Sequence, residues 1–222
     1  MKKIQILLSL FFLVLVQISF AQKVLHDATL NYSISMQSAD GKPAATPLEG
    51  AMLAIYLKGY QSRSEMISGL GTESSIYDSK SGKGYILKEY SGQKLMISMD
   101  RSNWNQKNKF YHTTKFTLDN KEQVIGGFKT KKASTVLPDG KELIVYYSSE
   151  FIAGNKFYNN AFSLLPGIPV QYEVVSGNLR FVYSLIKIDQ EIVPSSKFEI
   201  PKTGYRVMTY AENQQLKKGD NK

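Results

Sequence analysis

The sequence contains no cysteine. That absence excludes disulfides, thiolate metal sites, a cysteine nucleophile and the lipid-bearing cysteine of an exported lipoprotein. Histidine is nearly absent too, with only His26 and His112. Zinc sites draw on sulfur and imidazole donors, so no metal ligand is assigned. Acidic residues do not cluster in the way a hard-cation site needs. No G-x-S-x-G segment occurs, and "SGKGY" and "GLGTES" match neither a phosphate-binding loop nor a dinucleotide fingerprint, so both read as turns. Helix signals are scarce: only Asn155 to Leu164 and Tyr210 to Lys217 qualify. After the first residues no apolar run is long enough to cross a bilayer as a helix.

The first residues are the exception. "MKKIQILLSLFFLVLVQISFAQ" has a basic start at Lys2 and Lys3, an apolar run from Ile6 to Val16, and small residues at Ser19 and Ala21. This is the pattern of a secretory signal peptide over 1–21, with Gln22 first after cleavage. It places the protein in the periplasm of a Gram-negative envelope, as a single β-rich domain over 22–222 with a polar C-terminal tail from about 212. The formal charge is +9, and cleavage removes two of the lysines. Short basic runs at Lys129, Lys131, Lys132 and at Lys217, Lys218, Lys222 fall below the length of a charged interaction tail and read as solvated faces. Export takes the chain away from nucleic acid, so no nucleic-acid partner is expected.

The dominant period is two. In "LNYSISMQ", Leu30, Tyr32, Ile34 and Met36 alternate with polar residues, the signature of a strand with one dry face. "AMLAIYLKGYQSRSEMI" reads as two strands turning near Gly59, and "SSIYDSKSGKGYILKEY" as two more turning between Asp78 and Gly84. "QKLMISM" is another, and "KFYHTTKFTL" is a further candidate. Leu137-Pro138-Asp139-Gly140 supplies a turn between Phe128–Leu137 and Lys141–Ser148. Ser176-Gly177-Asn178 joins a second hairpin whose arms are rich in β-branched and aromatic residues. The stretch from Ser38 to Gly50 reads as a long loop. The expected fold is mainly β with minor α: an antiparallel meander, strongly curved into a half-open barrel.

Several strands are apolar on both faces. Leu143, Val145 and Tyr147 point one way, Ile144 and Tyr146 the other. Leu179, Phe181, Tyr183 and Leu185 oppose Val182, Ile186 and Ile188. Either a second layer covers the sheet or the sheet curls and its inner face lines a cavity. Fourteen tyrosines against 11 phenylalanines, with 7 methionines, suit a wet-edged apolar trough as well as an ordinary core. The candidate lining positions are Ile55, Leu57, Met66, Ile97, Val145, Tyr147, Val170, Tyr172, Phe181 and Tyr183. Trp104, the lone tryptophan, stands in the polar stretch "RSNWNQKNK" and reads equally as a contact residue and as a ring tucked onto the barrel mouth.

"VIGGFKTKKASTVLPDGKELIVYYSSEF", then "LLPGIPVQYEV", then "FEIPKTGYRVMT" resemble, in that order, the GLPGLI family of envelope proteins from Bacteroidetes-like bacteria and its domain-of-unknown-function relatives. "YLKGYQSRSEM" and "YDSKSGKGYILKE" resemble the family's early hairpins. Those proteins are similar in architecture to the LolA and LolB lipoprotein carriers. The resemblance implies a curved half-barrel holding acyl chains on its concave face, with Asn155 to Leu164 the candidate for a lid. Three functions follow as expectations. The first is a non-enzymatic binding protein for an apolar or lipid-like ligand or a lipidated partner. The second is an envelope interaction protein with a filled core. The third is a glycan or cell-wall hydrolase built on two carboxylates among Glu65, Asp78, Asp100, Glu173 and Asp189. No cofactor is implied.

Overall fold

The structure, a computed structural model, describes residues 22–38, 49–111, 114–138 and 140–219. The signal-peptide reading of 1–21, most of the loop expected between Ser38 and Gly50, and His112 lie outside the described residues.

After a short strand that the sequence reading did not expect, β1 (Lys23–Leu25), the alternating segments fold as expected into strands: β2 (Asp27–Ser38), β3 (Met52–Lys58), β4 (Gln61–Ser68), β5 (Gly71–Asp78), β6 (Gly84–Tyr90) and β7 (Gln93–Met99). The second half supplies β8 (Thr117–Ile125), β9 (Phe128–Val136), β10 (Glu142–Ser148), β11 (Phe151–Ala153), β12 (Ile168–Ser176), β13 (Leu179–Asp189) and β14 (Arg206–Thr209). Two α-helices lie among the described residues, α1 (Arg101–Asn108) and α2 (Tyr210–Gly219).

A 12-stranded sheet carries the order β14-β7-β6-β5-β4-β3-β2-β13-β12-β10-β9-β8. It is large, curved and not closed into a barrel. Two meanders, β2 to β7 and β8 to β13, meet where β13 pairs antiparallel with β2. The single continuous meander expected from the turns is corrected in two places. The chain crosses from β7 at one side to β8 at the far edge, and β14 returns to pair parallel with β7. β1 and β11 form a separate parallel ribbon. We call the end bearing the β4–β5, β6–β7, β9–β10 and β12–β13 turns the upper end.

Register fixes the faces, since paired residues share a side. Leu30 pairs with Ile55, Tyr32 with Leu185, Ile34 with Tyr183, and Tyr172 with both Tyr183 and Val145. Residues from β3 round to β10 therefore converge in one cluster, which requires the sheet to bend about it. That side is the inner face. A bulge between Leu185 and Lys187 shifts the parity, so Ile188 pairs with Leu30 and packs with the inner cluster. This corrects the alternation that placed Ile188 on the opposite side, and it leaves Ile186 exposed.

Over the main cluster, the cover of the inner face is made of irregular chain. Where a helix was expected over Asn155 to Leu164, the backbone makes two 3-10 turns, Lys156–Tyr158 and Asn160–Phe162, each capped by an asparagine side chain. Phe162 and Leu165 from this segment are buried in the main cluster. Gly167 follows in the L-P-G-I-P stretch: a Cβ there would stand 2.2 Å from the Ser148 carbonyl oxygen, so only glycine lets the segment turn onto β10.

A second cluster lies on the inner face of β5 to β7 and β14, uniting Tyr77, Ile86, Ile97, Met99, Met208 and Tyr210 with Trp104. Trp104 sits on α1, not in a loop. Asp100 caps that helix reciprocally with Asn103, and the indole stacks on Tyr77 at 4.0 Å and 3°. Of the strand expected over Lys109 to Leu118, the described residues 109–111 form a turn, 114–116 are irregular, and only Thr117 and Leu118 join β8. The polar tail from about 212 begins as α2, with Thr209 and Glu212 exchanging hydrogen bonds at its start. On the outer face, residues 190–205 run across the sheet as a strap. Val193 donates to Asp27 at 2.6 Å, Arg63 donates to the Lys197 carbonyl at 3.0 Å, and Tyr205 donates to Glu89.

Candidate functional site

The candidate lining residues divide into three groups. Ile55, Leu57, Val145, Tyr147, Val170 and Tyr172 are buried in the main cluster beneath the 3-10 segment. Ile97 is fully buried in the second cluster, where Met208 of the neighbouring strand β14 is its register partner and Trp104 of α1 joins it, and so stands apart from them. Met66, Phe181 and Tyr183 are half-buried. Met66 pairs with Leu53, and Phe181 pairs with Met36 and Val174, which continues the inner apolar face toward the upper end.

The interior is aromatic. Phe162 meets Tyr172 edge-on at 4.7 Å and stacks toward Phe116 at 6.5 Å, while Tyr172 and Tyr183 stack in parallel at 4.7 Å. Tyr32 lies edge-on to Tyr172 and donates to the Pro169 carbonyl at 2.8 Å. Burial pushes the phenols of Tyr32, Tyr158 and Tyr172 upward, so they stay neutral and act as apolar rings with polar tips. The Tyr158 hydroxyl is buried with no hydrogen-bond partner. Asn155 ties the segment to the scaffold by donating to the Tyr60 carbonyl at 2.9 Å. Alternation marks the wall residues, but nothing periodic marks Tyr158, Phe162 and Leu165, the residues that cover them. Their signal is an aromatic-rich stretch just before the L-P-G turn.

Open concavities occur elsewhere. A cleft of about 550 Å³ is lined by Lys23, Glu122, Lys129, Thr130, Lys131 and Phe151, among others, between the β1–β11 ribbon and β9. A groove of about 400 Å³ at the upper end is lined by Phe110, Tyr111, Leu137 and Pro138. Neither includes a candidate lining residue.

The carboxylates considered for hydrolysis each hold a separate structural post. Glu65 accepts from Arg63 and Ser74, Asp78 accepts from the backbone of Lys80 and Ser81, and Asp100 caps α1. Glu173 pairs with Arg180, and Asp189 with Lys187. Among the described residues no three histidines, aspartates or glutamates gather as a metal site. His26 is exposed, and its neighbour Asp27 is bound by Lys58 and Val193. Among the described residues no helix is long and apolar enough to cross a membrane.

No protein-family model matches the chain, and no curated protein matches it. Solved structures do. A structure of PNGF-II is 10% identical over 86% of this chain, with a TM-score of 0.50; this chain spans about a third of that one, 33%. An uncharacterized conserved protein from Thermus thermophilus is 8% identical, with 82% of this chain and 90% of that chain covered and a TM-score of 0.50. The LolA superfamily protein NE2245 from Nitrosomonas europaea is 8% identical, with 79% of this chain and 91% of that chain covered, at a TM-score of 0.36. The first two are likenesses of fold alone, and the third is too loose to build on.

Proposed function

We propose that this is a non-enzymatic binding protein of the cell envelope, whose inner sheet face shelters an apolar or lipid-like ligand or the lipidated end of a partner protein. One observation carries the reading. The inner face of β2, β3, β10, β12 and β13 is apolar along its length, yet its cover is neither a second sheet nor a regular helix but two 3-10 turns. Such turns have poorer hydrogen-bond geometry than an α-helix, and this pair buries an unpartnered hydroxyl at Tyr158. Beyond them the apolar face continues through Leu53, Met66, Phe181 and Tyr183. The export signal over 1–21 and the likeness of the later motifs to GLPGLI-type envelope proteins support a periplasmic location.

Native mass spectrometry of protein purified from its own envelope tests this. The protein should carry an apolar small molecule, and Phe181→Asp should lose it while melting within a few degrees of wild type. Met66→Asp, also half-buried, serves if Phe181→Asp fails to fold. A wild-type protein that is always ligand-free sinks the proposal. It would leave the second reading, an interaction protein with a filled core. That reading is favoured by the close packing of Phe162 and Leu165 against Val145, Val170 and Tyr172.

A further inference from the structure

Among the described residues, three buried side-chain polar atoms have no hydrogen-bond partner: Arg63 Nε, Trp104 Nε1 and the Tyr158 hydroxyl. Arg63 lies under the outer strap, where its other nitrogens donate to Glu65, Ser74 and the Lys197 carbonyl. Trp104 lies in the second cluster. Of the three, only Tyr158 sits on the cover of the main cluster. The residue as a whole is partly buried, but its hydroxyl oxygen is out of reach of solvent. The ring therefore carries its polar tip inward. Tyr32 and Tyr172 are its neighbours there: burial raises both phenols most, and Tyr158 adds to each. The Tyr32 hydroxyl is already engaged, since it donates to the Pro169 carbonyl at 2.8 Å.

A buried phenol without an acceptor costs stability that phenylalanine at the same site would not. A ligand that brings the acceptor accounts for the hydroxyl. Charge narrows what that ligand can be. No Asp, Glu, Lys or Arg is among the buried residues of the described chain. No carboxylate, ammonium or guanidinium contributes to the shifts of Tyr32, Tyr158, Tyr172 or Tyr183, whereas Tyr77 in the second cluster feels Arg101 and Asp78. An ionised group buried beside Tyr158 would have no counter-charge, and its lost hydration would go uncompensated. A carbonyl, ester or hydroxyl oxygen loses far less and can accept the one bond that a phenol donates.

We propose that the molecule sheltered beneath the cover is an uncharged long-chain lipid whose neutral oxygen accepts a hydrogen bond from Tyr158. The inference rests on the sheltering role proposed above and adds the chemistry of the ligand. Methyl hexadecanoate and hexadecane, each competed against the uncharged dye Nile red on the purified protein, test it. The ratio of ester to alkane affinity should fall about ten-fold in Tyr158→Phe. The infrared carbonyl stretch of the bound ester, labelled with carbon-13, should lie below its value in hydrocarbon solvent. That measurement on wild type needs no variant, so it decides the matter even if Tyr158→Phe fails to fold. Hexadecanoate at neutral pH should compete less well than its methyl ester. The inference is overturned if Tyr158→Phe keeps the ester-to-alkane ratio, if the bound carbonyl absorbs as in hydrocarbon, or if hexadecanoate binds more tightly than the ester. Ester and alkane that both bind, with the ratio unmoved, leave the sheltering role standing and remove only the acceptor. If wild type binds neither, the sheltering role falls and the acceptor with it.

Discussion

Replacing Phe162 with alanine asks whether the irregular segment is a packed cover or a loose one. The ring is 4% exposed and touches Tyr172 and Phe116, with centroid separations of 4.7 and 6.5 Å. Its removal forfeits transfer energy and leaves a hole among Leu165, Val170 and Tyr172 that rigid strands cannot close. Phenylalanine-to-alanine changes at such sites cost about 3–5 kcal/mol. In a domain this size that is a fall of about 10 °C in melting temperature, at about 2–4 °C per kcal/mol. Urea unfolding should be followed by far-ultraviolet circular dichroism and by Trp104 fluorescence. The tryptophan sits in the other cluster, so the two signals separate a local loss from a global one. A loss under about 1 kcal/mol with no uptake of a hydrophobic dye would refute close packing at Phe162. A small loss with strong dye uptake means instead that the segment lifts off alone while the sheet stays folded.

Tyr158→Phe removes the buried hydroxyl that has no partner, so stability should hold or rise by about 1 kcal/mol in the same urea titration. Gly84→Ala would place a Cβ 2.9 Å from the Trp104 ring and 3.4 Å from Met99. The variant should lose about 1–3 kcal/mol and red-shift the tryptophan emission. Burial and then the Glu89 carboxylate push the Tyr205 hydroxyl up to about 12, and burial with Glu73 does the same for Tyr90. The folded state keeps these protons after the unfolded chain has released its own at about 10. The stabilisation is therefore complete below about pH 10 and is lost as pH rises toward 12. Tyr205→Phe should flatten that alkaline decline, as read by melting temperature against pH.

Much of the sheet is legible because strands with one dry face announce themselves. Leu30, Tyr32, Ile34 and Met36 are all buried between polar neighbours, and Gly177 with Asn178 turns the hairpin where composition places it. What escapes lacks a period. β8 is exposed along nearly its whole length, so "TLDNKEQVI" carries no alternation to read. α1 holds one apolar side chain, Trp104, in a run of polar residues, and only the Asp100–Asn103 capping pair marks its start. Ile188 defies its alternation because one bulged residue inverts parity, and no local composition forecasts a bulge. The parallel pairing of β14 with β7 depends on a strap that crosses the sheet, which short-range patterns do not record.

The two readings of the inner face differ in one quantity, the free energy needed to lift the 3-10 segment. Tyr158, Phe162 and Leu165 pack against the sheet, and burial of side chains of this size contributes about 1.5–3 kcal/mol each. Their combined hold is then about 5–8 kcal/mol, reduced by the unpartnered Tyr158 hydroxyl. An acyl chain gains about 0.8 kcal/mol per methylene buried, so about a dozen methylenes match or exceed that hold. A short apolar molecule does not. If the segment is displaceable, the protein therefore selects for long chains, and affinity should stay low up to a threshold length and then rise steeply. Binding that rises evenly from the shortest chains would mean the ligand uses only the Met66, Phe181 and Tyr183 surface and leaves the cover in place. Competition by fatty acids of increasing length against a fluorescent long-chain fatty acid separates the two.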